Sequence, residues 1–596
     1  MIEAWINECQ ENHTQCWQHT DPVLPTRVID VGDIVTGKEP SLVHPQGRFG
    51  RYLALSHRWG DPQSQVAKSI TTKQNIAQHC QGIPLANLPA TFRDTVDIAR
   101  RLQIPYVWID SLCIIQDDLK DWNSESAKMG DVYENAYATL FAERAENCGD
   151  GLAPTTKDLD ASRDRIQMFR YHDDRQGTDH EIFISSKLSV YPNSLEAAFC
   201  LFSHTSSQLQ NRGWILQEEI LSRRKICFSA TELHWQCNHL SRCECGMKAM
   251  HFFGDDRTDD FTTRSLYEIR PSGEVSKRRL STRQGLIRVE MPTDKDKSWR
   301  KLVTAFTRRT LTFKEDRLAA LAGIASHMYK TMGNADAKPP SLQPAASQLA
   351  GSSGPTSDGT LKNQYLSGIW LQYAATQLLW RSSRAREALP CHRQRPGFAP
   401  TFSWASLTGS VEFLIMMTHR DTQVLITVIS GGRGALPHLP SAGDWLRVQS
   451  KALRITVFKR EVSITSSEND LRERILNGDY SYQLKDGGTC YNAGFRLQTP
   501  DGVSLPSQNV QWIRLDTPED WEYFSGNDTH TFLFLVTHAS SQTSAGGMLI
   551  PNAFGLVLRE VAQGYYERVC FVDEMDFGCK WDRIKEYSFD ADVILV

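Results

Sequence analysis

Several stretches of this sequence carry side chains able to do chemistry. In Ser56-His57-Arg58-Trp59 an apolar run ends on polar groups. A histidine there offers a general base, and an arginine offers a bidentate grip on phosphate or carboxylate. Asp110-Ser111-Leu112-Cys113 follows the apolar Tyr106-Val107-Trp108-Ile109. Asp110 is read either as a carboxylate that orients a ligand or as the cap of the following turn, the commoner job. Cys113 would be a nucleophile only with a base and a thiolate-stabilising surrounding. Its apolar neighbours favour a buried structural thiol. Asp117-Asp118 has no metal-ligand spacing of its own and reads as a helix N-terminal cap. Further on, Gln217 and Glu218 could complete a site with hydrogen bonds, while Arg212 pairing with Glu218 or Glu219 would brace the fold.

One cluster has the residue types of a metal site. Cys237, His239, Cys243 and Cys245 fall within nine residues at C-x-H and C-x-C spacings. Zinc sites more often pair two ligand sets across a longer spacer, so the stretch is read as a cysteine-rich loop and no metal ligand is assigned.

The elements that position these residues follow from hydrophobic pattern. Tyr52-Leu53-Ala54-Leu55-Ser56 reads as a buried strand turning at Trp59-Gly60. Phe92, Val96, Ala99 and Leu102 recur at helical spacing behind Pro89, a residue suited to a first turn. Tyr106 to Ile109 is apolar at successive positions, the mark of a strand buried on both faces. A helix is expected from about Asp121 to Ala136, then a strand over Ala138-Thr139-Leu140-Phe141-Ala142. This alternation predicts an α/β fold with a doubly wound, mostly parallel sheet. Ligands gather at the carboxyl ends of such strands, where Ser56, His57 and Asp110 fall.

Length and charge narrow the function classes. The 596 residues, at ~100–200 per domain, suggest several domains. With 66 basic and 70 acidic residues the net charge is −4, which removes the footprint of a dedicated nucleic-acid binder. The early acids of MIEAWINECQENHTQC argue against a signal peptide, and no apolar run approaches the ~18 residues of a membrane span. A cytoplasmic location is therefore expected, with the 14 cysteines reduced and the sequons at Asn12 and Asn527 idle. There is no G-x-x-x-x-G-K-[ST], no G-x-G-x-x-G after the early strands and no G-x-S-x-G. ATPase, dehydrogenase and hydrolase readings lose ground accordingly. The expected organisation is an N-terminal segment 1–45, an α/β domain 46–245, a mixed helical region 246–332, a flexible Ala/Ser/Pro/Gly-rich linker or insertion 333–360, and a C-terminal region 361–596 that is β-rich from about 400.

Three ordered motifs resemble the fungal heterokaryon-incompatibility (HET) domain over roughly 50–240. They are Tyr52-Leu53-Ala54-Leu55-Ser56-His57-Arg58-Trp59-Gly60; Leu88-Pro89-x-Thr91-Phe92-Arg93-Asp94 with Tyr106 through Asp117 and Asp121-Trp122, Glu125, Met129, Tyr133 and Ala136; and Arg212 through Glu218 with Leu221-Ser222 and Arg224. Segments around Asp316–Ala325, Tyr365–Trp370 and Pro400–Ser406 are similar to parts of full-length HET proteins. The resemblance implies a fungal source and a role in non-self recognition and programmed cell death. It also implies a distant fold relationship to TIR domains, some of which cleave the nicotinamide–ribose bond of NAD with a glutamate in a W-x-x-E setting. Trp122-x-x-Glu125 is similar in form. The chain departs from the family at His57-Arg58, where Tyr-Cys is usual, so no role of that cysteine carries over.

On this resemblance Glu125 is the candidate catalytic carboxylate, stabilising charge on the ribose; it reads equally as a helix N-terminal glutamate favoured by the macrodipole. His57, Asp110 and Cys113 are the other catalytic candidates. Ser56, Arg58, Trp59, Ser111, Trp122, Gln217 and Glu218 are the candidate substrate contacts. No cofactor is expected to be required; NAD would be a substrate. Two rival readings stay open: a HET-scaffold enzyme of small-molecule, secondary metabolism using His57 and Arg58, and a non-catalytic protein that binds a protein partner or itself.

Overall fold

The computed structural model describes residues 1–13, 16, 20–60, 69–152, 166–173, 178–185, 207–230, 233–239, 241–244, 248–249, 294–332, 364–383, 391–394, 398–413, 423–433, 443–458, 492–498, 511–514, 530–539, 553–572 and 588–596. The expected linker at 333–360, Cys245 and Asn527 lie outside the described residues. The chain divides into two units, Met1–Tyr267 with Ala319–His327, and Glu268–Leu318 with Met328–Val596.

The first unit contains helices α1 (Ile2–Asn12), α2 (Ile76–Gln81), α3 (Ala90–Arg101), α4 (Asp110–Cys113), α5 (Leu119–Ser126), α6 (Met129–Asn135) and α7 (Gly213–Leu221). Its strands are β1 (Val28–Asp30), β2 (Ser41–Val43), β3 (Tyr52–Ser56), β4 (Tyr106–Trp108), β5 (Ala138–Phe141), β6 (Ile166–Asp173), β7 (Thr178–Ser185), β8 (Arg224–Phe228), β9 (Leu233–Cys237), β10 (Ser241–Cys243) and β11 (Lys248–Ala249). Nine strands form one sheet in the order β11-β10-β9-β8-β5-β3-β4-β1-β2, and β6 pairs with β7 apart from it. The centre β8-β5-β3-β4 is parallel. The flanks are antiparallel: β1 and β2 beyond β4, and β9 to β11 beyond β8.

The parallel centre rests on β3, β4 and β5, which are almost wholly buried, while β8 brings the buried charges Arg224 and Lys225 beside them. Every residue of β3 is buried, and its one side-chain polar atom before Ser56, the Tyr52 hydroxyl, donates to the Val132 carbonyl at 2.6 Å. α3 starts behind Pro89 and buries Thr91, Phe92, Thr95, Val96 and Ala99. The helix expected over 121–136 is two helices. Asp118 caps α5 by accepting from the Lys120 amide, α5 stops at Ser126, and Lys128 begins the next turn. Gly130 in α6 is required by close approach, since a Cβ there would lie 2.7 Å from Gly323 Cα.

The second unit contains α8 (Asp294–Thr307), α9 (Ala319–Thr331, whose first residues belong to the first unit) and α10 (Ala374–Gln377). Its strands are β12 (Tyr365–Leu366), β13 (Ile369–Trp370), β14 (Trp380–Ser382), β15 (Val411–Phe413), β16 (Gln423–Val424), β17 (Thr427–Arg433), β18 (Asp444–Phe458), β19 (Asn492–Gln498), β20 (Gln511–Arg514), β21 (His530–Ala539), β22 (Ala553–Ala562), β23 (Tyr565–Val572) and β24 (Phe589–Leu595). Successive pairings β18-β21-β22-β23-β24-β18 close a ring, giving a barrel within the expected β-rich region. Leu446, Val448 and Ala452 of β18 are buried while Arg447 and Gln449 are exposed, the period-2 pattern that fills a small barrel. Arg568, itself buried, sits 3.3 Å over the Trp380 ring and donates to the carbonyls of Leu378 and Trp380. In the helical part, buried Asp296 accepts from Arg300 Nε, Thr376 Oγ1 and Gln377 Nε2 at 2.8–3.0 Å, tying α8 to α10.

Candidate functional site

Sheet topology fixes where a ligand would bind. From β3 the chain leads to β4 on one side, whereas from the adjacent β5 it leads to β8 on the other. Such a reversal opens a crevice at the carboxyl ends. Ser56 ends β3, His57 follows it, and Asp110 is the second residue after β4.

These residues meet at that edge. His57 Nδ1 lies 3.7 Å from Asp110 Oδ1, beyond a hydrogen bond. Neither ring nitrogen of His57 has a hydrogen-bond partner among the described residues, although the residue is buried. Its ring stands edge-on to Phe92, with centroids 5.0 Å apart, and burial lowers its pKa to about 4. Asp110 is held open-handed: Oδ2 accepts from Trp59 Nε1 at 2.9 Å and Oδ1 from the Ser111 amide at 2.7 Å. The Asp110 side chain is 22% exposed, and Arg58 and Trp59 are half-buried, so the group reaches solvent through them.

α7 completes the group. Its sequence Gly-Trp-Ile-Leu-Gln-Glu-Glu-Ile-Leu buries nearly every position, Gln217 and Glu218 included. Glu218 Oε2 and Ser56 Oγ are buried without hydrogen-bond partners among the described residues. Ser56 lies close enough to lower the Glu218 pKa without reaching hydrogen-bond geometry. Burial dominates and pushes the Glu218 carboxyl up to about 7, with Asp110 raising it further and Arg212 and Tyr133 opposing. Arg212 does not pair with Glu218 in hydrogen-bond geometry; Nη1 donates to the His57 carbonyl at 2.9 Å and so ties the start of α7 to the end of β3. Tyr133 donates to the Leu55 carbonyl at 3.2 Å. Gln217 Oε1 accepts from the Gly323 amide at 2.8 Å, a brace beside the site.

The other candidates stand apart. Glu125 is buried on α5, but its Oε1 accepts from Thr26 Oγ1 at 2.9 Å and Lys128 Nζ at 2.8 Å, and none of these partners belongs to the His57 group. Trp122 packs edge-on to Trp214, centroids 6.2 Å apart. Cys113 is fully buried and burial pushes its thiol up to about 12, so it is a neutral thiol at pH 7. Ser111 is buried, next to Asp110, and its Oγ has no partner among the described residues. The structure thus joins Ser56, His57, Asp110, Ser111, Trp59, Arg212, Tyr133 and Glu218, and leaves Glu125, Trp122 and Cys113 in other surroundings. The site membership of Tyr133 and Arg212 was not anticipated; the one available signal was that both lie within the motifs.

A second cluster lies at the sheet's flank. Cys237 does not gather with its sequence neighbours: His239 is exposed, and only the backbone of Cys243 is described. Instead, Cys9, His13, Cys16 and Cys237 are all buried, with their potential ligand atoms within 4.8 Å of one another. Cys9, His13 and Cys16 went unread because the sequence partners Cys237 only with residues beside it. Their own Cys-x3-His-x2-Cys spacing was the signal available.

Against known families, residues 52–218 match the model described as heterokaryon incompatibility protein (HET). The match runs from the first residue of β3 to Glu218, so it holds the whole sheet-edge group and none of the Cys9–His13–Cys16–Cys237 cluster. No curated protein and no solved structure matches the chain.

Proposed function

We propose that this heterokaryon incompatibility (HET) domain protein acts in a non-self recognition and cell-death response, with the sheet edge around Glu218 as its chemical centre. What carries the reading is Glu218 itself. It is a buried carboxyl with a pKa of about 7 and an unpartnered oxygen, beside a second carboxylate at the carboxyl ends of parallel strands. A carboxyl tuned to neutral pH both holds and releases a proton, as general acid–base chemistry requires.

The reaction we propose for it is cleavage of the nicotinamide–ribose bond of NAD by water. As neutral nicotinamide leaves, positive charge builds on the ribosyl carbon, and Asp110 stabilises it. Ionised Glu218 takes the proton from the attacking water and then passes it to solvent, leaving ADP-ribose. His57, neutral at pH 7, offers an unpartnered ring nitrogen to a substrate hydroxyl or carbonyl. Arg58 supplies the cation for the pyrophosphate. Glu125 becomes a structural residue in this scheme, held by Thr26 and Lys128.

The experiment is nicotinamide release by the purified full chain at several protein concentrations, with Glu218→Gln and Glu125→Gln alongside. Release abolished by Glu218→Gln and kept by Glu125→Gln supports the proposal. Release lost in Glu125→Gln alone moves the chemistry back to α5. No release at any concentration removes the NAD reaction. A second reading, a HET-scaffold enzyme of small-molecule metabolism, is supported by the two unpartnered nitrogens of buried His57. It requires turnover of another metabolite that His57→Ala abolishes.

A further inference from the structure

The N-terminal helix and strand β9 bring together a donor set foreign to the sheet-edge chemistry. Cys9 lies in the last turns of α1, His13 is its C-cap, and Cys16 follows in a turn whose amide donates to the His13 carbonyl at 2.8 Å. Cys237 ends β9. Trp5 of α1 packs 6.4 Å from Trp235, on the same face of β9 as Cys237, and Arg242 pairs with Glu8. The helix is thereby laid on the strand with its cysteine side inward. All four side chains are buried, at 0–6% exposure, and none of the three cysteines is in a disulfide. His13 Nδ1 is 3.4 Å from Cys237 Sγ. In a tetrahedron with Zn–S of about 2.3 Å and Zn–N of about 2.0–2.1 Å, an N–S edge measures about 3.6 Å and an S–S edge about 3.8 Å. The His13–Cys237 edge is close to the tetrahedral N–S value, and the whole set lies within 4.8 Å, so a small contraction would bring the four donors onto one ion.

Charge supplies an independent argument. Arg224 stands opposite Cys237 in the β8–β9 ladder and is 2% exposed. Its partners among the described residues are Cys9 Sγ at 3.4 Å, the carbonyls of Tyr137 and Cys16, and the Tyr137 ring. None of these carries a formal negative charge, and a buried cation without a counter-charge is costly. A divalent ion on three thiolates and one neutral imidazole has a net charge of −1 and would supply the anion that Arg224 lacks. The Arg224 Nε–H and the His239 amide, which donates to Cys237 Sγ at 3.5 Å, are the N–H···S bonds that orient and stabilise metal-bound thiolates.

We propose that Cys9, His13, Cys16 and Cys237 bind one structural zinc ion, which fastens the N-terminal helix to the flank of the sheet. On binding, the three thiols release their protons to solvent as the Zn–S bonds form, and no electron is transferred. All four positions are taken by protein donors, so the ion holds structure and has no open position for substrate.

The test is elemental analysis of the full chain, purified under reducing conditions without chelator. The expected content is about one zinc per chain. Cys237→Ser, Cys16→Ser and His13→Ala should fall to background, His13→Cys should keep the ion, and Cys80→Ser, at an exposed cysteine, should leave it unchanged. Wild-type protein exchanged with cobalt(II) should show the intense visible bands of tetrahedral thiolate ligation, a readout that needs no variant to fold. Chelation should also speed proteolysis at the N-terminus. Folded wild type that carries no zinc and gives no tetrahedral cobalt spectrum would overturn the proposal. So would a disulfide among Cys9, Cys16 and Cys237, or zinc content indifferent to Cys237→Ser.

Discussion

Glu218→Gln makes the buried carboxyl a permanent stand-in for its protonated form, and the consequence for stability can be worked out. In the unfolded chain this carboxyl has its ordinary value of 4.5; in the fold, burial holds it near 7. Between those values the unfolded state gives up a proton that the folded state keeps, so wild-type stability falls as pH rises. At ~1.4 kcal/mol per pH unit the loss reaches on the order of 3 kcal/mol above pH 7. His57 works in the opposite sense. Its folded value of about 4 lies below the ordinary 6.5, so the unfolded chain binds a proton that the fold refuses, and stability rises with pH across that window. The two slopes mask one another in wild type between about pH 4.5 and 6.5. Urea denaturation of wild type and Glu218→Gln at pH 5, 6, 7 and 8 separates them, because contributions common to both cancel in the difference. Between pH 5 and 7 wild type should lose stability relative to the variant at roughly 1 kcal/mol per pH unit, and above pH 7 the curves should run parallel, the variant having gained about 2.5 kcal/mol relative to wild type between pH 5 and 8. Parallel curves across the series would refute the reasoning, since they would mean that Glu218 is not a protonated, desolvated carboxyl.

Other consequences are as specific. Asp110→Asn removes the charge that raises both neighbours, so the pKa values of His57 and Glu218 should both fall, read by NMR titration of labelled histidine and by the pH–stability curve. Gly323→Ala would place a methyl 2.5 Å from Gln217 Oε1 and 2.7 Å from Gly130 Cα; a loss of about 1–3 kcal/mol is expected in thermal unfolding, and an unchanged melting temperature would contradict that packing. Arg568→Ala in the barrel strands the Leu378 and Trp380 carbonyls and removes the cation from the Trp380 face. It should cost at least ~2 kcal/mol, seen as an earlier melt.

What the sequence made legible was what a short window contains. β3, β4 and β5 could be read because a strand buried on both faces must be apolar at consecutive positions, and α3 because its buried face recurs at 3.6 residues behind a proline. From those strands the edge at Ser56, His57 and Asp110 followed directly. The break between α5 and α6 was not legible, because no proline marks it and Ala127 and Lys128 are ordinary helix formers. The antiparallel flanks escaped for a different reason. β1 and β2 are three residues each, too short to show a period, and they join the sheet only because β1 pairs with β4 and β2 with β1. Glu218 was visible as an acid inside an apolar helix, yet its burial depends on Ser56, Tyr133 and Asp110 arriving from other elements. Cys9 and Cys237 lie 228 positions apart, and no local pattern connects them.

The central claim is that the HET domain acts through the sheet edge around Glu218. Its most direct test is expression of the full chain in a fungal host, with viability measured for wild type, Glu218→Gln and Glu125→Gln at matched protein levels. The account predicts that wild type and Glu125→Gln reduce viability and that Glu218→Gln does not. A Glu218→Gln protein as toxic as wild type, or toxicity lost only in Glu125→Gln, would contradict it.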